Sequence, residues 1–115
     1  MNELVGKKCK PCGKETVPFS PEEAERYRAK LPDWRLGAEA RNLSREYVMK
    51  DFLAATSFIQ AIARVAESED HHPDLHLTGY RKLRIELATH AIGGLSENDF
   101  ILAAKIDALP KTLKK

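Results

Sequence analysis

Three of the four histidines fall in two short stretches: the pair in His71-His72-Pro73, and His90, eighteen residues after His72, at the end of a strand-like run. Imidazole is the one side chain whose unperturbed pKa lies near neutrality, so such a set is suited to moving protons. Glu67 precedes His71 by four residues, one helical turn if the helix persists, where a carboxylate could hold the ring in one tautomer. General acid/base catalysis is the chemistry this pattern favours. Two other readings compete with it. A His-His pair is often only the polar end of a helix, and His71, His72, His76 and His90 have the donor chemistry for zinc with help from Asp or Glu. The H-E-x-x-H pattern of zinc proteases does not occur.

Consecutive side chains alternate in an extended backbone, so His71 and His72 reach one cleft only if the chain turns there. Pro73 stiffens that turn. Weaker candidates surround the set. Ser96 lacks a neighbouring base in sequence and has a capping role, and Gly93-Gly94 is too short for a phosphate loop. Trp34, the only tryptophan, suits either a flat ligand or the core. Cys9-Lys10-Pro11-Cys12 is a C-x-x-C in a Lys/Pro/Gly-rich segment rather than between a strand and a helix. It reads as two reduced thiols on an arm, or as half of a metal site completed by histidines or another chain.

The elements that must position these residues follow from periodicity and caps. Ser20-Pro21-Glu22-Glu23 is a capping box with proline at the first helical position, and Leu31-Pro32 ends that helix. Trp34–Leu36 and Leu43–Met49 read as strands; in the second, Leu43, Arg45, Tyr47 and Met49 share a face. Asp51 caps a helix over 52–67. Its apolar face, built on Phe52, Ala55, Ile59, Ile62 and Ala66, is broad enough for either an ordinary core helix or a contact between subunits. Residues 74–78 and 82–89 form a hairpin around Gly79-Tyr80-Arg81. Leu83, Ile85, Leu87 and Thr89 make its apolar row, and His90 lies in the opposite row at the rim. Ser96 begins a last helix that ends at Pro110. The expected fold is α+β, a four-stranded antiparallel sheet with three helices on one face, in the order α-β-β-α-β-β-α. An irregular arm over 1–18 precedes one domain over 19–110, and 111–115 form a basic tail.

Apolar content of 43% and charged content of 31% suit a globular chain, and 115 residues suit one domain. A formal net charge of +2 is too small to point to nucleic acid. No apolar run approaches the ~20 residues of a membrane span, and the N-terminus has neither a signal core nor an Arg-rich transit pattern. The expectation is a cytoplasmic protein with neither a membrane nor a nucleic-acid partner.

Taken together, Glu67, three residues, His71-His72-Pro73, six residues, Tyr80, nine residues, His90, eight residues and Asp99 form a pattern that resembles the pterin-4a-carbinolamine dehydratases. Leu31-Pro32-Asp33-Trp34, Thr89-His90 and Gly94-Leu95-Ser96 add to the likeness, which spans roughly residues 20–109. The resemblance implies dehydration of 4a-hydroxytetrahydrobiopterin to quinonoid dihydropterin in pterin recycling, with no metal and no organic cofactor. It implies the same α+β fold and a homodimer or homotetramer. Carried residue by residue, it makes His71 and His90 the acid/base candidates, His72 a substrate-orienting residue and Glu67 a partner that tunes His71. His71, His72, Pro73, Thr89, His90, Ala91 and Ile92 would bind substrate. Ile92 stands where some animal members have cysteine, and the Cys9/Cys12 arm resembles extensions in some bacterial and plant members. Alternative roles are a place in molybdopterin metabolism or a helix-mediated protein-binding module, which Ile59 and Ile62 would serve.

Overall fold

The computed structural model describes residues 3–10 and 16–115, so Cys12 lies outside the described residues. Seven main elements follow in the expected order: α1 (Pro21–Arg28), β1 (Arg35–Leu36), β2 (Leu43–Val48), α2 (Phe52–Glu69), β3 (Asp74–Thr78), β4 (Lys82–Leu87) and α3 (Glu97–Ala108). The strands form one antiparallel sheet in the order β1-β2-β4-β3. Register explains which face is covered. Leu43 pairs with Leu87 and Tyr47 with Leu83, while Leu75 and Leu77 of β3 stand opposite Ile85 and Leu83. All of these lie on one side, where the helices bury them. Ser44, Glu46, Arg84, Glu86 and His76 occupy the open side; there Glu46 faces Arg84 across the ladder, and Arg84 binds Glu86 at 2.6 Å.

The caps behave as the residue types dictate. Ser20 Oγ accepts the Glu23 N–H (3.2 Å) and Asp51 Oδ1 accepts the Ala54 N–H (2.8 Å), each satisfying an N–H without an intrahelical partner. On α2, Ala55, Phe58, Ile62 and Ala66 recur at helical spacing and are buried, with Ile59 and Val65 packed beside them. Of the two isoleucines named for a partner surface, Ile62 is buried inside the protomer, whereas Ile59 is half-buried; the large apolar residues α2 exposes most are Phe52 and Leu53 at its start.

β4 is shorter than expected. Its ladder ends at Leu87, and Thr89 instead bridges Gly94 through its N–H (2.8 Å), pinching off a 3-10 turn at His90–Ile92. Gly94 must be small, because a Cβ there would come within 2.8 Å of Pro18. His90 therefore sits on a turn rather than in a strand row.

Segments near both termini dock. Residues 3–6 form one 3-10 turn, and Leu4 is fully buried in the core. Lys105 Nζ donates to the Val5 carbonyl (2.8 Å) and Lys7 Nζ to Glu97 (2.9 Å). The basic tail runs beside the end of β2, where the Lys50 and Lys114 N–H groups donate to Thr112 and Val48 (3.0 and 2.9 Å). Among the described residues, no helix is long and apolar enough to cross a membrane.

One polar hub ties α3 to the sheet. The Asp107 carboxylate accepts from Trp34 Nε1 (2.9 Å), Arg45 Nη1 (2.9 Å) and the Tyr47 hydroxyl, and the Arg45 guanidinium lies 4.0 Å from the Tyr47 ring centroid. Trp34, 1% exposed, thus belongs to the core. Truncation at Asp107 leaves several polar groups without an acceptor, so Asp107→Ala is expected to lower stability by about 2–4 kcal/mol. Urea unfolding measures this, and a loss under about 0.5 kcal/mol would show that the hub contributes nothing.

Candidate functional site

The His71-His72 pair is aimed by the way α2 stops. The Asp70 N–H bonds Glu67 O (3.4 Å) and the His71 N–H bonds Ala66 O (3.2 Å), the paired 5→2 and 6→1 bonds of a Schellman end. Asp70 takes the left-handed turn itself, at φ 52°, a conformation aspartate tolerates better than most residues. The chain therefore reverses at once, and the two imidazoles leave in different directions.

His71 points inward. Its Nε2 lies 2.6 Å from Oδ1 of Asp99, which is fully buried on the first turn of α3. The other oxygen of Asp99 accepts the Thr89 hydroxyl (2.8 Å) and the Ser96 N–H (3.0 Å), and the Thr89 and Ser96 hydroxyls are 2.8 Å apart. One carboxylate thus anchors the ring, caps α3 and holds the 89–94 turn. His72 points outward, its Nε2 2.5 Å from Glu67 Oε2 on the exposed end of α2. The expected partnership of Glu67 with His71 is therefore corrected. The turn at Asp70 carries His71 away from the helix, so Glu67 meets His72 and Asp99 meets His71.

His71, His72 and His90 line a single cleft of about 670 Å³. Ala88, Thr89 and Ala91 form one part of its wall, and Ser68, Glu69 and Asp70 at the end of α2 form another. A smaller recess of about 270 Å³ adjoins it through Ala88, Thr89 and His90. Pro73 and Ile92, expected to contact substrate, are not on the cleft wall. The Ile92 N–H closes the 3-10 turn on Thr89 O (3.1 Å), and Pro73 leads into β3. His76 lies on the open sheet face, 3.4 Å from Glu86. Among the described residues, no three His, Cys, Asp or Glu side chains are grouped to hold a metal ion.

Part of the cleft wall was not foreseen. Lys8, Cys9, Lys10 and Asn98 complete it. The Cys9 N–H donates to Glu69 Oε1 (2.8 Å), the Lys10 N–H to Asn98 Oδ1 (2.9 Å), and Asn98 Nδ2 to the Lys10 carbonyl (2.6 Å). The Cys9 thiol reaches Asn98 O at 3.6 Å. Burial, with the Glu69 carboxylate beside it, pushes that thiol up to about 12. Asp99 did carry a signal in sequence, as N3 of the Ser96-x-x-Asp box, but that signal identifies a cap rather than an imidazole partner.

The family described as Pterin 4 alpha carbinolamine dehydratase matches residues 17–109. A provisionally named pterin-4-alpha-carbinolamine dehydratase of Halorhodospira halophila is 44% identical over 92% of this chain and 96% of its own. The mitochondrial pterin-4-alpha-carbinolamine dehydratase 2 of Arabidopsis thaliana is 46% identical over 93% of this chain and 59% of its own. Among solved structures, the transcriptional coactivator/pterin dehydratase of Brucella melitensis superposes with a TM-score of 0.74 at 30% identity, covering 79% of this chain and 96% of its own.

Two measurements check the geometry. Asp99→Ala strips the acceptor from Thr89, Ser96 and His71 together, and its expected cost is about 2–4 kcal/mol in urea unfolding; an unchanged midpoint would contradict the network. In a Cys12→Ser background, Cys9 is expected to react with a thiol reagent at neutral pH more than about 100-fold slower than a free cysteine until denaturant is added. The folded thiol keeps its proton where the unfolded one loses it, so this group favours folding fully below pH ~9, and its contribution fades as pH rises toward 12. Equal reaction rates in native and denatured protein would refute the burial of this thiol.

Proposed function

This chain belongs to the pterin-4-alpha-carbinolamine dehydratase family, a family of hydro-lyases, and from that premise we propose that it removes water from 4a-hydroxytetrahydrobiopterin by histidine acid/base catalysis. The observation that carries the reading is the convergence of His71, His72 and His90, from two separated stretches of backbone, on one cleft.

Dehydration breaks the C4a–O bond and forms a C4a=N5 double bond. Hydroxide is a poor leaving group, so an acid must protonate the departing oxygen as the N5 lone pair pushes in. The N5 proton then passes to a base, and the sum is quinonoid dihydropterin and water. His71 and His90 serve as the acid and the base. A carboxylate only accepts, so the bond to Asp99 assigns the His71 proton to Nε2 and leaves Nδ1 as the exchangeable nitrogen. His90 is exposed and exchanges its proton with water between turnovers. His72, steadied by Glu67, orients the substrate. Thr89 and Ala91 line the ring, with Pro73 and Ile92 holding the backbone on either side. The quinonoid product calls for a two-electron reductase, which places the reaction in pterin recycling. A homodimer or homotetramer belongs to the same reading, with the outer edge of β3 and the exposed Phe52 and Leu53 as the surfaces open to it.

Each positioned proton transfer is worth about 10²–10⁴-fold. In an assay on the 4a-hydroxy pterin, replacing both His71 and His90 by alanine is expected to remove enzymatic turnover in protein that is still folded under assay conditions, with a lowered urea midpoint because Asp99 loses its imidazole partner. Turnover retained by the folded double variant would end the proposal.

A further inference from the structure

Ala88, Thr89 and His90 belong both to the wall of the cleft and to that of the recess of about 270 Å³, yet the dehydration itself uses only the cleft. We propose that the recess receives the C6 side chain of the pterin, and that Asp74 there selects a side chain with vicinal hydroxyls; this rests on the dehydratase reading of the cleft.

The connectivity of the substrate puts the side chain beside the recess. C6 is bonded to N5 and lies two bonds from C4a, so its substituent leaves the ring next to the groups that serve those atoms. His90 is one of them and stands in both walls, whereas His71 and His72 line the cleft alone. A side chain that passes His90 enters the recess. The pyrimidine half of the ring, on the other side of C4a, stays in the cleft.

Three strands build the recess. Leu87 pairs with Leu43 and Glu86 with Asp74, so Asn42, just before β2, and Asp74, the first residue of β3, flank the end of β4. Groups fixed by a sheet lose little entropy when they engage a ligand. Most of the charge there is already engaged: Arg41 pairs with Glu39 (2.9 Å) and Glu86 with Arg84 (2.6 Å). Among the described residues, no ion pair or hydrogen bond engages the Asp74 carboxylate. A carboxylate only accepts, and its two oxygens can take parallel bonds from neighbouring hydroxyls. The Asn42 amide offers a donor and an acceptor to the same diol. Leu87, 1% exposed, gives the recess an apolar surface for a terminal methyl group. An anionic side chain would be repelled by Asp74, so a neutral dihydroxypropyl group is the chemistry that fits.

The test compares the 4a-hydroxy adducts of tetrahydrobiopterin, which carries the diol, and of 6-methyltetrahydropterin, which lacks it. It is paired with fluorescence titration of biopterin and 6-methylpterin, which needs no turnover. The expected kcat/KM ratio favours the diol by about tenfold. The preference is carried mainly by KM, because a group remote from the reacting bonds is held equally in the ground and transition states. Asp74→Ala brings the ratio near one, and Asp74→Asn, which keeps one accepting oxygen, retains part of it. A ratio near one in the parent protein, or one that Asp74→Ala leaves unchanged, overturns the inference and leaves the dehydratase reading standing. If neither adduct is turned over, tighter Asp74-dependent binding of biopterin retains the diol subsite without the dehydratase, whereas equal binding of the two pterins ends both.

Discussion

A single buried carboxylate couples the stability of this fold to its chemistry. Asp99 is fully buried, and its two oxygens accept hydrogen bonds from an imidazole, a hydroxyl and a backbone N–H contributed by three separate segments. A charge in that position is tolerable only because every partner is in place; removing any one leaves part of the carboxylate unsatisfied. The end of α2, the 89–94 turn and the start of α3 are consequently locked together. The cleft between them is shaped by the same bonds that fix His71.

Around this centre the fold separates its tasks. The sheet and α2 supply apolar burial, with Phe58 and Ile62 packed on the row that includes Tyr47, Leu83 and Ile85. The Asp107 hub secures the far end of α3 through Trp34, Arg45 and Tyr47. α3 is thus pinned by an aspartate near each end, one serving the site and the other the core. The N-terminal segment adds a wall without adding to the sheet, bound through the side chains of Glu69 and Asn98.

Much of this could be read from the sequence because it is local. The Ser20 and Asp51 caps, the alternation in β2 and the helical spacing in α2 each depend on residues a few positions apart. The family likeness, carried by fixed spacings between Glu67 and Asp99, likewise needed no coordinates. What could not be read depends on distant pairing. Glu67 lies one helical turn from His71 in sequence, but the partner of His71 comes from twenty-eight positions further along the chain. Cys9 and Lys10 looked like an irregular arm because Glu69 and Asn98, sixty and eighty-eight residues on, are what hold them. Ile62 looked as open to a partner as to the core because periodicity shows that a face is apolar and not what covers it.

The left-handed residue that ends α2 joins the two imidazoles mechanically. His71 and His72 follow Asp70 directly, and both directions are set by its φ of 52°. They behave as one lever with two arms, the inner clamped by Asp99 and the outer resting on Glu67. A distortion at that pivot swings both rings at once, so substitutions nearby tune them as a unit rather than singly. The outer arm rests on a carboxylate open to solvent, while the inner arm is held by one that solvent does not reach.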